Sequence, residues 1–127
     1  MLEIISTKDA PKAIGPYSQA IAFKDLLFVS GQIGINPKTA SIDANTIEGQ
    51  TRQVMNNVQA ILSAAGSNLT KVLKCTVFLS DMQDFATFNN IYGEYFPQTP
   101  PARTTVQAAG LPRNVKVEVD VIACRDE

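Results

Sequence analysis

Apolar residues recur along this chain with two different periods. From about Thr46 to Ala65 they fall at Val54, Met55, Val58, Ile61, Leu62 and Ala65, which lie on one face of a helix. Asn45, with Glu48 three residues later, predicts a capping box at its start, and Gly66 suits the position just past its end. A second helix is predicted over about 84–96, where Phe85, Phe88, Ile91, Tyr92 and Tyr95 form a stripe read as core packing. Pro97, Pro100 and Pro101 stop it. Strand patterns cover residues 3–6, 17–23, 26–33, 72–79, 102–108 and 115–123. A loop through Pro11 and Gly15-Pro16 follows the first; Lys24-Asp25 separates the second and third as a tight hairpin; Asn36-Pro37-Lys38 makes a further turn.

The predicted order is three strands, helix, strand, helix, two strands. Two helices on one face of a mostly antiparallel sheet make an α+β fold, in a single domain spanning 1–127. Residues 72–79 are spaced to pair in parallel with an earlier strand through the first helix, which predicts a mixed sheet.

The last two strands carry the most chemistry. Val115, Val117, Val119 and Val121 alternate with Lys116, Glu118 and Asp120, and Thr104, Val106 and Ala108 alternate with Arg103, Thr105 and Gln107. Read as an antiparallel hairpin with apolar matched to apolar, the pair sets Arg103 opposite Glu118 in one register and Asp120 in the next. Either places Arg103 on the same side of the sheet as two carboxylates. A cross-strand salt bridge on a solvated face is the simpler reading of that pattern. The functional reading is an arginine steadied by a carboxylate while its planar fork holds the carboxylate of a ligand.

Composition narrows the chemistry. Only 18% of residues are charged, against about 25% in typical domains, which favours a surface partly covered by copies of the same chain. Net charge is −1 and the basic residues are scattered, with Lys71 and Lys74 the nearest to a cluster, so nucleic acid is not an expected partner. The chain has no histidine, which removes Ser-His-Asp and Cys-His nucleophile systems and the usual His-bearing catalytic zinc sites. No phosphate-binding glycine loop is present. Cys75 and Cys124 sit far apart in strand-like runs and read as buried free thiols of a reduced compartment. With no secretory h-region and no membrane-length apolar run, a soluble cytoplasmic protein is expected.

Several separate motifs then carry a resemblance. The run PPARTTVQAAGLPRNVKVEV (100–119), with GPYSQA (15–20), VSGQIGINPKT (29–39) and DFATFN (84–89) in the same order, resembles the RidA family, also called YjgF, over nearly the whole chain. The resemblance implies a chorismate-mutase-like α+β fold and a homotrimer with active sites in clefts between subunits. It implies a deaminase that hydrolyses 2-imino and 2-enamino acids (2-aminoacrylate, 2-iminobutanoate, 2-iminopropanoate) to 2-oxo acids and ammonia, with no cofactor and no metal. Residue by residue, Arg103 falls on the carboxylate-binding arginine and Glu118 on the glutamate that positions the hydrolytic water. Tyr17, Ser30, Gly31 and Asn89 match positions of the substrate cleft. Thr105 stands where some members carry Cys and is expected near the reacting end of the ligand. Gly31 alone suggests a bulge or a close backbone approach. Two other readings stay open: an endoribonuclease or translation inhibitor, and a non-catalytic metabolite binder or chaperone-like protein.

Overall fold

The computed structural model describes residues 1–126. Its strands and helices are β1 (Leu2–Ile5), β2 (Ala20–Phe23), β3 (Leu26–Gln32), β4 (Ile35–Asn36), β5 (Ser41–Ile42), α1 (Ile47–Ala64), β6 (Val72–Leu79), α2 (Phe85–Glu94), β7 (Ala102–Gln107) and β8 (Val117–Cys124). Six strands form one sheet in the order β1-β2-β3-β8-β6-β7, and β4 pairs with β5 in a small separate hairpin. Every neighbouring pair is antiparallel except β6–β7. The sheet is mixed, as expected, but its parallel pair joins β6 to the later strand β7 across α2. The predicted partnership with an earlier strand is ruled out because β8 lies between β3 and β6.

Strand alternation explains the layering. On β8, Val117, Val119, Val121 and Ala123 are all buried, while the residues between them are half-exposed. Leu27 and Val29 of β3 and Cys75, Val77 and Leu79 of β6 continue the buried row. They pack against the apolar stripe of α1 (Val54, Met55, Val58, Ile61, Leu62) and against Phe88 and Tyr92 of α2. Each such side chain contributes on the order of 1.5–3 kcal/mol on burial. Both helices therefore share one face of the sheet. The opposite face is open in the single chain and carries Ile4, Phe23, Leu26, Phe28 and Val106, each more than a third exposed.

Helix α1 starts on Thr46, whose extended backbone and side chain, accepting from Gly49 N at 3.1 Å, make the N-cap. The predicted Asn45–Glu48 box is thus displaced by one residue, and Glu48 lies in the first turn instead. Its end matches expectation: Gly66 has φ 81°, Ser67 N donates to Leu62 O at 2.8 Å and Gly66 N to Ser63 O at 3.1 Å, a Schellman closure. The Lys24-Asp25 turn is also present, with Lys24 at φ 57° and Phe23 paired to Leu26. Two predicted strands begin late. Residues 17–19 lie outside the ladder, with Ser18 and Gln19 bound to Ser30, and β8 waits for Val117 because Arg113 and Asn114 turn through left-handed φ of 56° and 55°. Cys75 and Cys124 are both free, but only Cys75 is buried; Cys124, on the open face at the end of β8, is half-exposed.

Candidate functional site

The sequence-predicted residues fall into two clusters. The first forms around an irregularity in β3. Val29 pairs with Val121 and Gln32 with Val119, so Ser30 and Gly31 together oppose Asp120 in a bulge. Ser30 N donates to Gln19 O at 2.9 Å and Ser30 Oγ donates to Ser18 O at 2.6 Å, tying the bulge to the segment that carries Tyr17. The buried Gln19 side chain fixes that segment in turn. Its Nε2 donates to Thr7 O, Ala10 O and Pro11 O, and its Oε1 accepts from Thr7 N at 2.7 Å. Tyr17 Oη accepts from Ile14 N at 3.5 Å.

Glu118 of β8 rests against the bulge. A Cβ placed on Gly31 would stand 2.1 Å from Glu118 Oε2, so the glycine is what admits the carboxylate. The two therefore satisfy both roles expected of Gly31, bulge and close approach. Around them a cavity of about 390 Å³ has apolar walls at Pro11, Ile14, Ile33, Ile35 and Pro112, beside Tyr17 and the polar Lys12, Gln19 and Gln32, with Ser30, Gly31 and Glu118 on it. Asn57 of α1 donates to Ile33 O and Ile35 O at 3.1 and 2.9 Å and so holds one wall. Burial, then the neighbouring Asp120 charge, pushes the Glu118 carboxyl above its ordinary pKa. Asp120 is also raised, by burial, against the opposing pull of Thr76 hydrogen bonds and Lys74. A carboxyl shifted in this direction can take a proton from water more readily than an exposed one. A larger groove of about 750 Å³ runs along Ile4–Ala13 and shares Tyr17 and Gln19, but it contains none of Ser30, Gly31 and Glu118.

The second cluster forms on α2 and β7. Arg103 is the register partner of Cys75, and Thr105 of Val77; both partners are buried under the helices, so Arg103 and Thr105 face that side too. The Arg103 guanidinium carbon lies 5.0 Å from the Tyr92 ring centroid and 5.5 Å from that of Phe85. Arg103 Nη1 donates to Asn89 Oδ1 at 2.7 Å. Among the described residues no carboxylate forms an ion pair with Arg103. The Thr105 hydroxyl is buried with no hydrogen-bond partner. Beneath Arg103, burial raises the Cys75 thiol and the Tyr92 hydroxyl, which lie beside one another.

This arrangement corrects the expected Arg103–Glu118 hairpin. Strands β7 and β8 are not neighbours: β7 is an edge strand and β6 separates it from β8. On β6, Arg103 aligns with Cys75, whereas Glu118 aligns with Phe78 and Asp120 with Thr76. Cys75 and Phe78 have opposite parity, so within one chain Arg103 and the two carboxylates occupy opposite faces of the sheet. The matching of apolar to apolar failed because Val106, set there with the valines of the last strand, is 42% exposed on the open face, whereas those valines are buried. Tyr17, Ser30, Gly31 and Glu118 come together, and so do Arg103, Asn89 and Thr105, but the two groups do not meet. The sequence reading also missed Gln19 as the clamp on the Tyr17 segment, and it placed Phe85 and Tyr92 in the core alone. The i, i+4, i+7 spacing of Phe85, Asn89 and Tyr92 was the signal that they share a face.

No group of three or more Cys, Asp or Glu side chains able to hold a metal occurs among the described residues, and none of their helices is long and apolar enough to cross a membrane. Residues 7–125 match the family model described as Endoribonuclease L-PSP. A RutC family protein of Pyrococcus horikoshii is 51% identical over 99% of this chain and 100% of its own. The Reactive Intermediate Deaminase A, chloroplastic, of Arabidopsis thaliana is 47% identical over 95% of this chain and 65% of its own. Among solved structures, E. coli TdcF with bound serine superposes with a TM-score of 0.93 at 43% identity, covering 98% of this chain and 99% of that one.

Proposed function

The chain belongs to the Endoribonuclease L-PSP family, the family of the RidA and YjgF proteins, and on that premise we propose that it hydrolyses 2-imino acids and their enamine tautomers to 2-oxo acids and ammonia. The observation that carries the reading is Glu118: a carboxylate seated against Gly31 in a partly apolar cavity, with its pKa raised by burial. The arginine that would hold the substrate carboxylate faces the other side of the sheet, so the site is completed between copies of the chain, in a homotrimer. Arg103, Asn89 and Thr105 come from one copy; Tyr17, Ser30, Gly31 and Glu118 come from the next. The open sheet face, with Phe28, Leu26 and Val106 exposed, is the apolar surface such an assembly would cover. The bound serine of TdcF supports a ligand of amino-acid size.

The chemistry needs little machinery. A protonated imine is already electrophilic at C2. Water adds its oxygen there while its proton passes to the Glu118 carboxylate, and the C–N π pair moves to nitrogen. The resulting carbinolamine takes that proton back on nitrogen, the C–N bond breaks, and the hydroxyl proton leaves as the 2-oxo acid forms. The departing ammonia takes up the remaining proton as ammonium. Arg103 fixes the carboxylate two donors to two acceptors, and Thr105, two residues along the same strand, lies on the same side of the sheet with its hydroxyl buried and unpartnered. Positioning of this kind accounts for much of the acceleration.

The family description favours a second reading, RNA cleavage. RNA hydrolysis draws on general acid-base groups and a basic groove. Here the basic residues are scattered, histidine is absent, and the cavity holds a single basic side chain, Lys12, rather than a basic groove.

Two variants test the proposal. In a coupled dehydratase assay of 2-iminobutanoate decay, Arg103→Ala should lose at least about 30-fold in kcat/KM, the cost of removing one partner of a buried charge pair. Glu118→Gln should lose turnover more than affinity for a 2-oxo acid. Unfolding the two variants together and refolding them at equal concentration should restore about a quarter of wild-type activity, since random assembly pairs an intact Arg103 with an intact Glu118 in that share of clefts. Absence of recovery would exclude a site shared between copies; wild-type activity of Arg103→Ala would exclude the deaminase site itself. Ribonuclease activity in nuclease-free protein, lost with Glu118→Gln, would favour the second reading.

A further inference from the structure

The arginine of the second cluster sits on an edge strand with no carboxylate to hold it, yet its guanidinium is not left to wander. Three side chains from successive turns of α2 converge on it: Phe85 and Tyr92 with their rings, and Asn89 between them with a 2.7 Å hydrogen bond. The division of labour matters. A guanidinium has five N–H donors in one plane. Contact with a ring uses its face and spends no donor. Asn89 takes one donor at Nη1, so the rest of the N–H edge stays free for a carboxylate. A carboxylate in place of the rings would have fixed the arginine equally well, but would have occupied the fork that a ligand needs.

We infer that Phe85 and Tyr92 are positioning residues that hold the Arg103 guanidinium by its face, so that its N–H edge is oriented for a ligand carboxylate before the ligand arrives. The inference rests on the reading of Arg103 as the carboxylate anchor. It assigns the aromatic stripe of α2 two duties. Phe88 and Tyr92 pack into the core, and the Phe85–Tyr92 side of the stripe cradles the arginine. Holding the side chain beforehand removes rotamer entropy that binding would otherwise have to overcome. Phe85 is the better probe, because it opens α2 and is only partly buried, whereas Tyr92 packs between Phe88 and Phe96 with ring centroids 5.3 and 4.9 Å away.

The test is calorimetric titration with 2-oxobutanoate, an unreactive carboxylate, beside the kinetics of 2-iminobutanoate decay. Phe85→Leu keeps apolar bulk and removes the π face, and should weaken Kd about 3- to 10-fold, with KM rising by more than kcat falls. Phe85→Tyr restores a ring and should return Kd to within about two-fold of wild type, as should Tyr92→Phe, which keeps the ring and drops the hydroxyl. In an Arg103→Ala background, Phe85→Leu should have no further effect on Kd, because the phenylalanine acts through the arginine. Wild-type affinity of Phe85→Leu, an additive double variant, or a loss on Tyr92→Phe would each overturn the inference while leaving Arg103 as anchor. Unchanged binding by Arg103→Ala alone would overturn the anchor and this inference together.

Discussion

Replacing Gly31 by alanine isolates the carboxylate from the fold that holds it. The new methyl carbon would stand 2.1 Å from Glu118 Oε2, 3.0 Å from its carboxyl carbon and 3.2 Å from Cγ. Non-bonded carbons and oxygens settle near about 3.5 Å, so the carboxylate must retreat by more than about 1 Å. The atom in the way is the end of a three-torsion side chain, and Gly31 does not have a left-handed φ, so the backbone accepts alanine as it stands. Turning Glu118 away from its preferred rotamer costs about 0.5–1.5 kcal/mol. Removing glycine's freedom from the unfolded chain returns about 0.4–1 kcal/mol. The two nearly cancel, and the melting temperature should move by no more than about 5 °C. Catalysis has no such compensation. A displacement of this size in a group that aims water costs on the order of 100-fold. Gly31→Ala should therefore be a folded protein with kcat/KM for 2-iminobutanoate down about 100-fold. Activity within three-fold of wild type would refute the close seating of Glu118 as the feature that matters. A melting temperature lower by tens of degrees would show that the bulge itself, not the side chain, had given way.

Glu118→Gln should stabilise the fold at neutral pH. The carboxyl's folded pKa lies above its ordinary 4.5, so the folded state binds the proton more tightly than the unfolded chain. Stability then falls as pH rises from that ordinary value through the raised one, and is highest below both. Thermal melts of wild type and variant should differ at pH 7 and converge as pH drops below the ordinary value; a constant difference would remove burial and Asp120 as its cause. Phe28→Lys places a charge in the middle of the open apolar face, where Phe28 is 45% exposed. Sedimentation should show smaller species than wild type, with the deaminase rate lost in parallel; an unchanged sedimentation coefficient would mean that another surface joins the copies.

Local signals in the sequence located most of the elements. The period of Val54, Met55, Val58, Ile61 and Leu62 gave α1, and Gly66 marked its end because only a residue tolerant of φ near 81° closes that Schellman turn without strain. Caps and strand starts were less legible. Asn45 and Thr46 are both good N-caps, and neighbouring candidates differ by energies too small to separate by inspection. The site was readable as a set of residues and unreadable as a place. Resemblance named Tyr17, Ser30, Gly31, Glu118, Asn89, Arg103 and Thr105, and each lies in one of two clusters. Their division depends on strand order, which no local pattern carries: the inference of a final hairpin assumed that consecutive strands pair, whereas β8 inserts between β3 and β6.

The error about faces has a physical cause that bears on function. Alternation fixes which residues of a strand lie together, but not which of the two faces is the core. That choice was made by turning the apolar set inward, putting Val106 inside and Arg103 out. In the fold β7 does the reverse: Arg103 lies over the aromatic side of α2, and Val106 joins Phe28 and Leu26 on the open face. The rule fails wherever the outer face of a sheet also carries an apolar row, and a lone soluble subunit has no reason to expose one. The strand that misled the reading is thus the strand that argues for a covering partner. The outward apolar row is costly in isolation, and the inward arginine beside it has no carboxylate partner among the described residues. Both are accounted for if the open face closes on other copies and brings each Arg103 to a neighbouring Glu118.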